Sequence, residues 1–206
     1  MLRFVFINAE DATRVIGFRS KEPLTLRMLE LVKPGDVVLD VGASMGIYAI
    51  PAGVKVQETG YVIAVEPDGD KVKKLARNVE INGLSDRIGI ENLFAGDAST
   101  SGTAGKKLDD LLQLRSYPSP TIIKIDVDGP ELSVLKGLRM TLQTNQHLRL
   151  IQVEFTDLNA ELIDYLWNFG WRLVAFETHA SRDRDLFRGE PVIGNGWFVR
   201  RGETQP

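Results

Sequence analysis

The chain has 206 residues, 43% hydrophobic and 26% charged, with a formal net charge of −3 and no cysteine. That length suits one domain with a full core. The missing cysteine excludes a disulfide scaffold, thiolate zinc sites and a cysteine nucleophile, and the acidic balance argues against a sequence-independent hold on nucleic acid.

The first twenty residues, MLRFVFINAEDATRVIGFRS, carry charge too early and too often for a secretory signal. A small hairpin is the expectation for this N-terminal extension. Pro23 to Val32 spaces leucines at 24, 26, 29 and 31 as a helix and stops at Lys33-Pro34-Gly35. DVVLDV (36–41) is short and rich in β-branched residues, the pattern of a parallel strand buried on both faces. After Gly46 the chain turns helical, with Pro51 in or near the first turn. YVIAVE (61–66) is a second strand. Asp70 to Ile81 then sets Val72, Leu75, Ala76 and Val79 on one stripe and ends at Asn82-Gly83, a C-terminal cap. RIGIENLFA (87–95) reads as a strand with a weaker pattern, and 98–107 as a small, polar, exposed loop.

TIIKIDV (121–127) is a strand, Glu131 to Leu142 a helix with leucines at 132, 135, 138 and 142, and RLIQVEF (149–155) a strand. Ala160 to Phe169 is a helix stopped by Gly170, followed by strand WRLVAF (171–176), a charged loop at 180–191, and a last strand, GWFVRR (196–201). Such alternation implies an α/β sandwich with right-handed crossovers, one domain over 1–206. No apolar run approaches the ~18–20 residues that span a bilayer, so a cytoplasmic protein with no membrane partner is expected.

The first strand runs into DVGASMG (40–46). Glycines at a strand-to-helix turn let a ligand approach the backbone, and in an open α/β sheet ligands bind at the carboxyl ends of the strands. The dinucleotide spacing fails, because its three glycine places hold Gly42, Ser44 and Ile47. No Gly-Lys-Ser/Thr of a phosphate loop is present. Asp40 would repel a pyrophosphate and suits a cofactor with positive charge, such as the amino acid end and sulfonium of S-adenosylmethionine. A tight turn without a ligand would use the same glycines. Two further acids stand at successive strand ends. Glu66-Pro67 lies about 20 residues on, where a carboxylate accepts both ribose hydroxyls of an adenosine. Asp97 of AGDAS (95–99), followed by Ala98, falls where an adenine amino group would sit. Either acid alone could equally be a solvated turn residue.

Together LDVGASMG, VIAVEPD, GDA and IKIDVDGPELSVLKGL resemble the class I S-adenosylmethionine-dependent methyltransferases, and the last segment resembles the FkbM family in particular. The likeness covers roughly residues 20–200. It implies a Rossmann-like, three-layer sandwich on a seven-stranded sheet whose last strand is antiparallel. It implies S-adenosylmethionine as cofactor, held by Asp40, Gly42, Ala43, Ser44, Gly46, Glu66, Pro67, Asp97 and Ala98. Two positions depart from the FkbM pattern: Asp128 stands where Glu is usual, and Pro130 where a small residue is common.

Methyl transfer from a sulfonium is an in-line displacement, so an enzyme mainly holds acceptor and methyl about 3 Å apart and aligned. A hydroxyl acceptor also needs a base within reach. Asp126 at the fourth strand tip and Glu154 at the end of the fifth are the expected catalytic residues, with His179 as a further candidate and His147, on the opposite rim, discounted. Asp128-x-x-Glu131 has the spacing of a capping box, with Pro130 in the first helical turn. A magnesium ion held by the same carboxylates is the competing reading, although one D-x-D pair does not specify it; no metal ligand is assigned.

The expected reaction is O-methylation of a hydroxyl on a small molecule or sugar. An RNA or protein methyltransferase on the same fold is the alternative, and nucleic acid is not the expected partner, since the amino-group signature Asn/Asp-Pro-Pro-aromatic is missing after the fourth strand. A non-catalytic S-adenosylmethionine-binding protein is a third reading. The charged stretch 181–189 is a solvated loop or a lid. With few appended segments the site is expected to be open or completed by another chain, so a homo-oligomer is among the expectations.

Overall fold

The fold was obtained as a computed structural model, which describes residues 2–5, 9, 12–13, 16, 23–97, 105–156, 159–178 and 193–202. Its strands are β1 (Val37–Val41), β2 (Tyr61–Val65), β3 (Ile88–Glu91), β4 (Ile122–Ile125), β5 (Leu150–Thr156), β6 (Trp171–Thr178) and β7 (Ile193–Arg200). Its helices are α1 (Pro23–Leu31), α2 (Ala49–Lys55), α3 (Gly69–Ile81), α4 (Leu108–Leu114), α5 (Glu131–Gly137), α6 (Arg139–Thr144) and α7 (Ala160–Asn168). The strands form one sheet in the order β3-β2-β1-β4-β5-β7-β6. The first five strands are parallel, and β7 inserts antiparallel between β5 and β6. The sheet is therefore the Rossmann-like sheet of the class I methyltransferases, with its last strand reversed.

Alternating side chains of the central strands feed two cores. Val37, Leu39 and Val41 pack with Ile123, Ile125, Ile151 and Val153 against leucines of α4 to α7. Val38, Val62, Ile122 and Leu150 face the other way, onto Leu24, Met28, Ile50, Leu75 and Val79 of α1 to α3. Burial on both faces explains why these strands are near-continuous apolar runs.

Helix α3 shows how local sequence fixes its ends. Asp68 is the N-cap and accepts from the amides of Asp70 and Lys71. At the other end Gly83 adopts φ +66°, its amide bonds Glu80 O, and Leu84 N bonds Val79 O, which is the Schellman pattern. A Cβ at Gly83 would meet no atom within 4 Å, so only the backbone conformation opposes a side chain there. Gly83→Ala is expected to lower stability by about 1 kcal/mol, read from the urea midpoint; an unchanged midpoint would contradict this.

Four expectations change. The hairpin is replaced, among the described N-terminal residues, by helical Ala9, Ala12, Thr13 and Ile16, with residues 2–5 outside any strand. Asn78 and Asn82 hold residues 3 and 5 against α3 by accepting from Val5 N and Arg3 N. The weak strand at 87–95 ends at Glu91. The helix expected over 131–142 is two, because Leu138 leaves helical geometry at φ −106°, ψ 16° and divides α5 from α6. Helix α4 was not anticipated; its seven residues have only two fully inward leucines, Leu108 and Leu111, too few for a period to show.

Candidate active site

The register of the sheet brings polar residues into a row on the α1–α3 face. Asp40 of β1 lies opposite Lys124 of β4, Lys124 opposite Gln152 of β5, and Gln152 opposite Trp197 of β7. One step toward the carboxyl ends, past the pair Ile125–Val153, come Asp126 and Glu154, and Glu154 lies opposite Asn195. The inner row is tightly bonded on one side: Gln152 donates to Thr25 of α1 and to Asn195, and Trp197 Nε1 donates to Gln152. On the other side Lys124 Nζ lies 3.6 Å from Asp40 Oδ1 and 2.7 Å from Asp126 Oδ2.

Above this row opens a cavity of about 910 Å³. Its wall holds Asp40, Gly42, Ala43, Ser44, Glu66, Pro67, Asp126 and Glu154, all expected from the sequence. The loop after β1 is shaped by positive φ at Gly42 (+84°), Ser44 (+50°) and Gly46 (+92°). A Cβ on Gly42 would fall 1.9 Å from the Asp126 carbonyl oxygen, so loop and β4 tip touch backbone to backbone. Gly46 serves packing: its missing Cβ makes room for Leu75 and Ile50, and it is not part of the cavity wall.

Glu66 is buried, and its carboxylate is aimed by two amides, Ser44 N on Oε2 at 2.8 Å and Asp68 N on Oε1 at 3.0 Å. Each oxygen keeps a second lone pair for a hydroxyl donor. Asp97 stands elsewhere than expected: it is absent from the cavity wall, its amide bonds Ser133 Oγ, and its carboxylate lies 3.9 Å from Lys107 Nζ. Leu93, Phe94 and Ala95 line the cavity in its place, an apolar surface for a flat ring. Ala98, His179 and the stretch 181–189 lie outside the described residues.

The acids around Gly129 divide their work. Asp128 does not cap α5; the cap position is Pro130, without a side-chain bond. Gly129 at φ +108° turns the chain between them, which leaves Asp128 on the cavity wall. Glu131 reaches back as the capping spacing predicts, but to the amide of Gly129, at 2.9 Å. Burial raises the Glu131 pKa. Among the described residues no three histidines or acids are grouped to hold a metal ion.

Asp40 is a strongly perturbed acid. It is fully buried, and neither carboxylate oxygen has a hydrogen-bond partner. Burial pushes its pKa up to about 6, opposed by Lys124 and reinforced by Asp126 and Glu66. The buried Tyr48 hydroxyl, also in the wall, likewise has no partner.

Residues 11–104 match the model of the TRM5/TYW2 methyltransferase domain. Over 162 residues the chain is 29% identical to the hexuronic acid methyltransferase AglP of Haloferax volcanii, covering 69% of this chain and 66% of that one. It is 32% identical over 96 residues to the human tRNA (guanine(37)-N(1))-methyltransferase, covering 47% of this chain and 18% of the relative. These matches support a methyltransferase that uses S-adenosylmethionine. The chain spans just under two thirds of the archaeal relative and less than a fifth of the human one. The structure of M. capricolum TrmK with S-adenosyl-homocysteine shares the fold at a TM-score of 0.61 and 10% identity, over 88% of this chain and 70% of that one. The family model that matches, TRM5/TYW2, spans residues 11–104 and supports a methyltransferase domain without showing the FkbM family.

The cavity fits such a cofactor on its own chemistry. Orphaned Asp40 oxygens offer a counter-charge to a cation, Glu66 offers acceptors to a diol, and Leu93 and Phe94 offer an apolar face. Lys124 and Tyr48 were not singled out from the sequence. A lysine between isoleucines in a doubly buried strand, IIKI, was the signal available for Lys124. Among the described residues no helix is long and apolar enough to cross a membrane.

Proposed function

We propose that the protein is a cytoplasmic O-methyltransferase of FkbM type that methylates a hydroxyl of a neutral sugar or small molecule. The observation that carries this is the charge of the cavity wall. Its described residues include five carboxylates, Asp40, Glu66, Asp126, Asp128 and Glu154, against two lysines, Lys71 and Lys124. A phosphate backbone would be repelled by that wall, whereas neutral hydroxyls find acceptors throughout it.

The cofactor, when bound, supplies an electrophilic methyl on sulfonium sulfur. The chain's residues do the rest. Asp40 faces the cofactor's positive end. Glu66, held by Ser44 N and Asp68 N, receives the ribose hydroxyls. Asp126 is the base: Lys124 fixes its Oδ2 at 2.7 Å, and the carboxylate sits at the β4 tip beside the cavity, with its side chain 31% exposed. It takes the acceptor's proton as the oxygen gains carbon. Glu154, in the same wall, orients a neighbouring hydroxyl.

The human relative acts on tRNA by its name, and the family model supports tRNA as the second reading. The experiment offers methyl-labelled S-adenosylmethionine with a neutral oligosaccharide fraction or with tRNA. Label in the oligosaccharide ether fraction, lost in Asp126→Asn, is the expected result. Label in tRNA alone overturns the proposal for the second reading. Beforehand, calorimetry with S-adenosylhomocysteine should show binding that Glu66→Ala weakens about tenfold or more, since two hydroxyl contacts to a charged acceptor are lost; NAD, whose pyrophosphate meets Asp40, should not bind.

A further inference from the structure

Lys124 is placed where a strand of this kind normally carries an apolar side chain. Its side chain is 4% exposed, with Ile122, Ile123 and Ile125 fully buried around it. The sheet register sets it directly beside Asp40, and its ammonium lies between Asp40 and Asp126, 3.6 Å from one and 2.7 Å from the other. The Tyr48 ring covers it, with Nζ 5.8 Å from the centroid. A buried lysine next to one acid would make a neutral pair. Here one lysine serves two acids on the same wall, and the group carries a single net negative charge when both acids are ionised.

The methyl donor and its product differ by one charge. S-adenosylmethionine carries an ammonium, a sulfonium and a carboxylate, hence a net positive charge. When the methyl leaves, the electrons of the sulfur–carbon bond stay on sulfur, and S-adenosylhomocysteine is neutral overall. The acceptor's proton passes to Asp126 and from there to solvent, which restores the single negative charge of the Asp40–Lys124–Asp126 group.

Resting on the cofactor reading above, we propose that Lys124 holds the Asp40–Lys124–Asp126 group at one negative charge, so that the cavity prefers the sulfonium donor over the thioether product and releases the product after each turnover. In a dry wall one unit of charge has a large effect on a bound cation, far larger than in water. Without Lys124 the two carboxylates would oppose each other at close range, and with Asp126 neutralised the preference would fall.

The test is a charge series. Dissociation constants for S-adenosylmethionine and S-adenosylhomocysteine are measured by calorimetry at pH 8.5 for the wild type, Lys124→Gln, Asp126→Asn and the double variant. The expected donor preference falls about fivefold or more in Asp126→Asn, rises about fivefold or more in Lys124→Gln, and returns to within about twofold of wild type in the double variant. A merely structural lysine would weaken both ligands together and leave the ratio alone. A ratio constant within about twofold across the folded variants overturns the proposal while leaving the cofactor reading intact. If Lys124→Gln does not fold, Asp126→Asn against the wild type decides alone. A folded wild type that binds neither ligand overturns the cofactor reading and this proposal with it.

Discussion

Gly42→Ala should lose both cofactor binding and much of the stability of the fold. The substituted Cβ would lie 1.9 Å from the Asp126 carbonyl oxygen, 2.8 Å from its carbonyl carbon and 3.3 Å from Val127 Cγ1. Two of these atoms are backbone, and that backbone cannot retreat: Asp126 N bonds Val41 O, and β1 pairs with β4 along its length. The loop cannot retreat either, because Gly42 N and Ala43 N both bond Val65 O. Positive φ at this position adds a conformational cost of about 1 kcal/mol for a non-glycine residue. The sum is roughly 3–5 kcal/mol, a melting point lower by roughly 10 °C or more for a domain of this size. A variant that melted within about two degrees of wild type and kept its affinity for S-adenosylhomocysteine would show the contact to be wrong. Gly83→Ala, with the same sign of φ and open space, is the control that isolates the backbone cost.

The affinity for S-adenosylmethionine should rise about tenfold from pH 5 to pH 7, and Asp40→Asn should abolish that rise. Burial lifts the Asp40 pKa from 3.8 to about 6, against the pull of Lys124. In the ligand-free protein the sign is unfavourable to ionisation: the folded state holds the proton more tightly than the unfolded state, so this group's contribution to stability is full below pH 3.8 and is lost as pH rises through about 6. A bound cation reverses the preference, since it favours the carboxylate. The ligand therefore selects the ionised fraction, about one in eleven at pH 5 and most of the population at pH 7. The amide introduced by Asp40→Asn keeps the shape of the carboxylate, has no titration in this range, and should bind weakly at every pH. Calorimetry at three pH values decides the matter: a flat wild-type profile would show that Asp40 does not titrate with binding, and the same step in Asp40→Asn would move the titrating group elsewhere in the wall.

Much of this was legible in the sequence, and the parts that were not share physical causes. Four of the parallel strands, β1, β2, β4 and β5, announce themselves because burial on both faces leaves continuous apolar runs, and Asp40, Glu66 and Asp126 stand out as acids at the tips of such runs. Short elements with one or two inward residues, such as α4, leave no period to read. Asp97 falls outside the cavity wall because the turn after β3 is set by a tertiary contact, its amide bonding Ser133 Oγ, which no local pattern announces. Asp128 kept the spacing of a cap, but the positive φ of Gly129 re-aimed the chain. Lys124 was visible as an anomaly, a charge in a buried strand; its meaning appeared only when the register set Asp40 beside it.

The position of β7 has a consequence for how the chain matures on the ribosome. Among the described residues strand β6 pairs with β7 alone, and β7 also closes the outer edge of β5. Synthesis delivers β6 more than a dozen residues before β7 begins, so for that interval β6 has no hydrogen-bonding neighbour and the edge of β5, beside Glu154, stands open. The outer edge of β5 is thus covered only after β6 has been made, and a nascent chain stalled before Ile193 would present two open strand edges to chaperones.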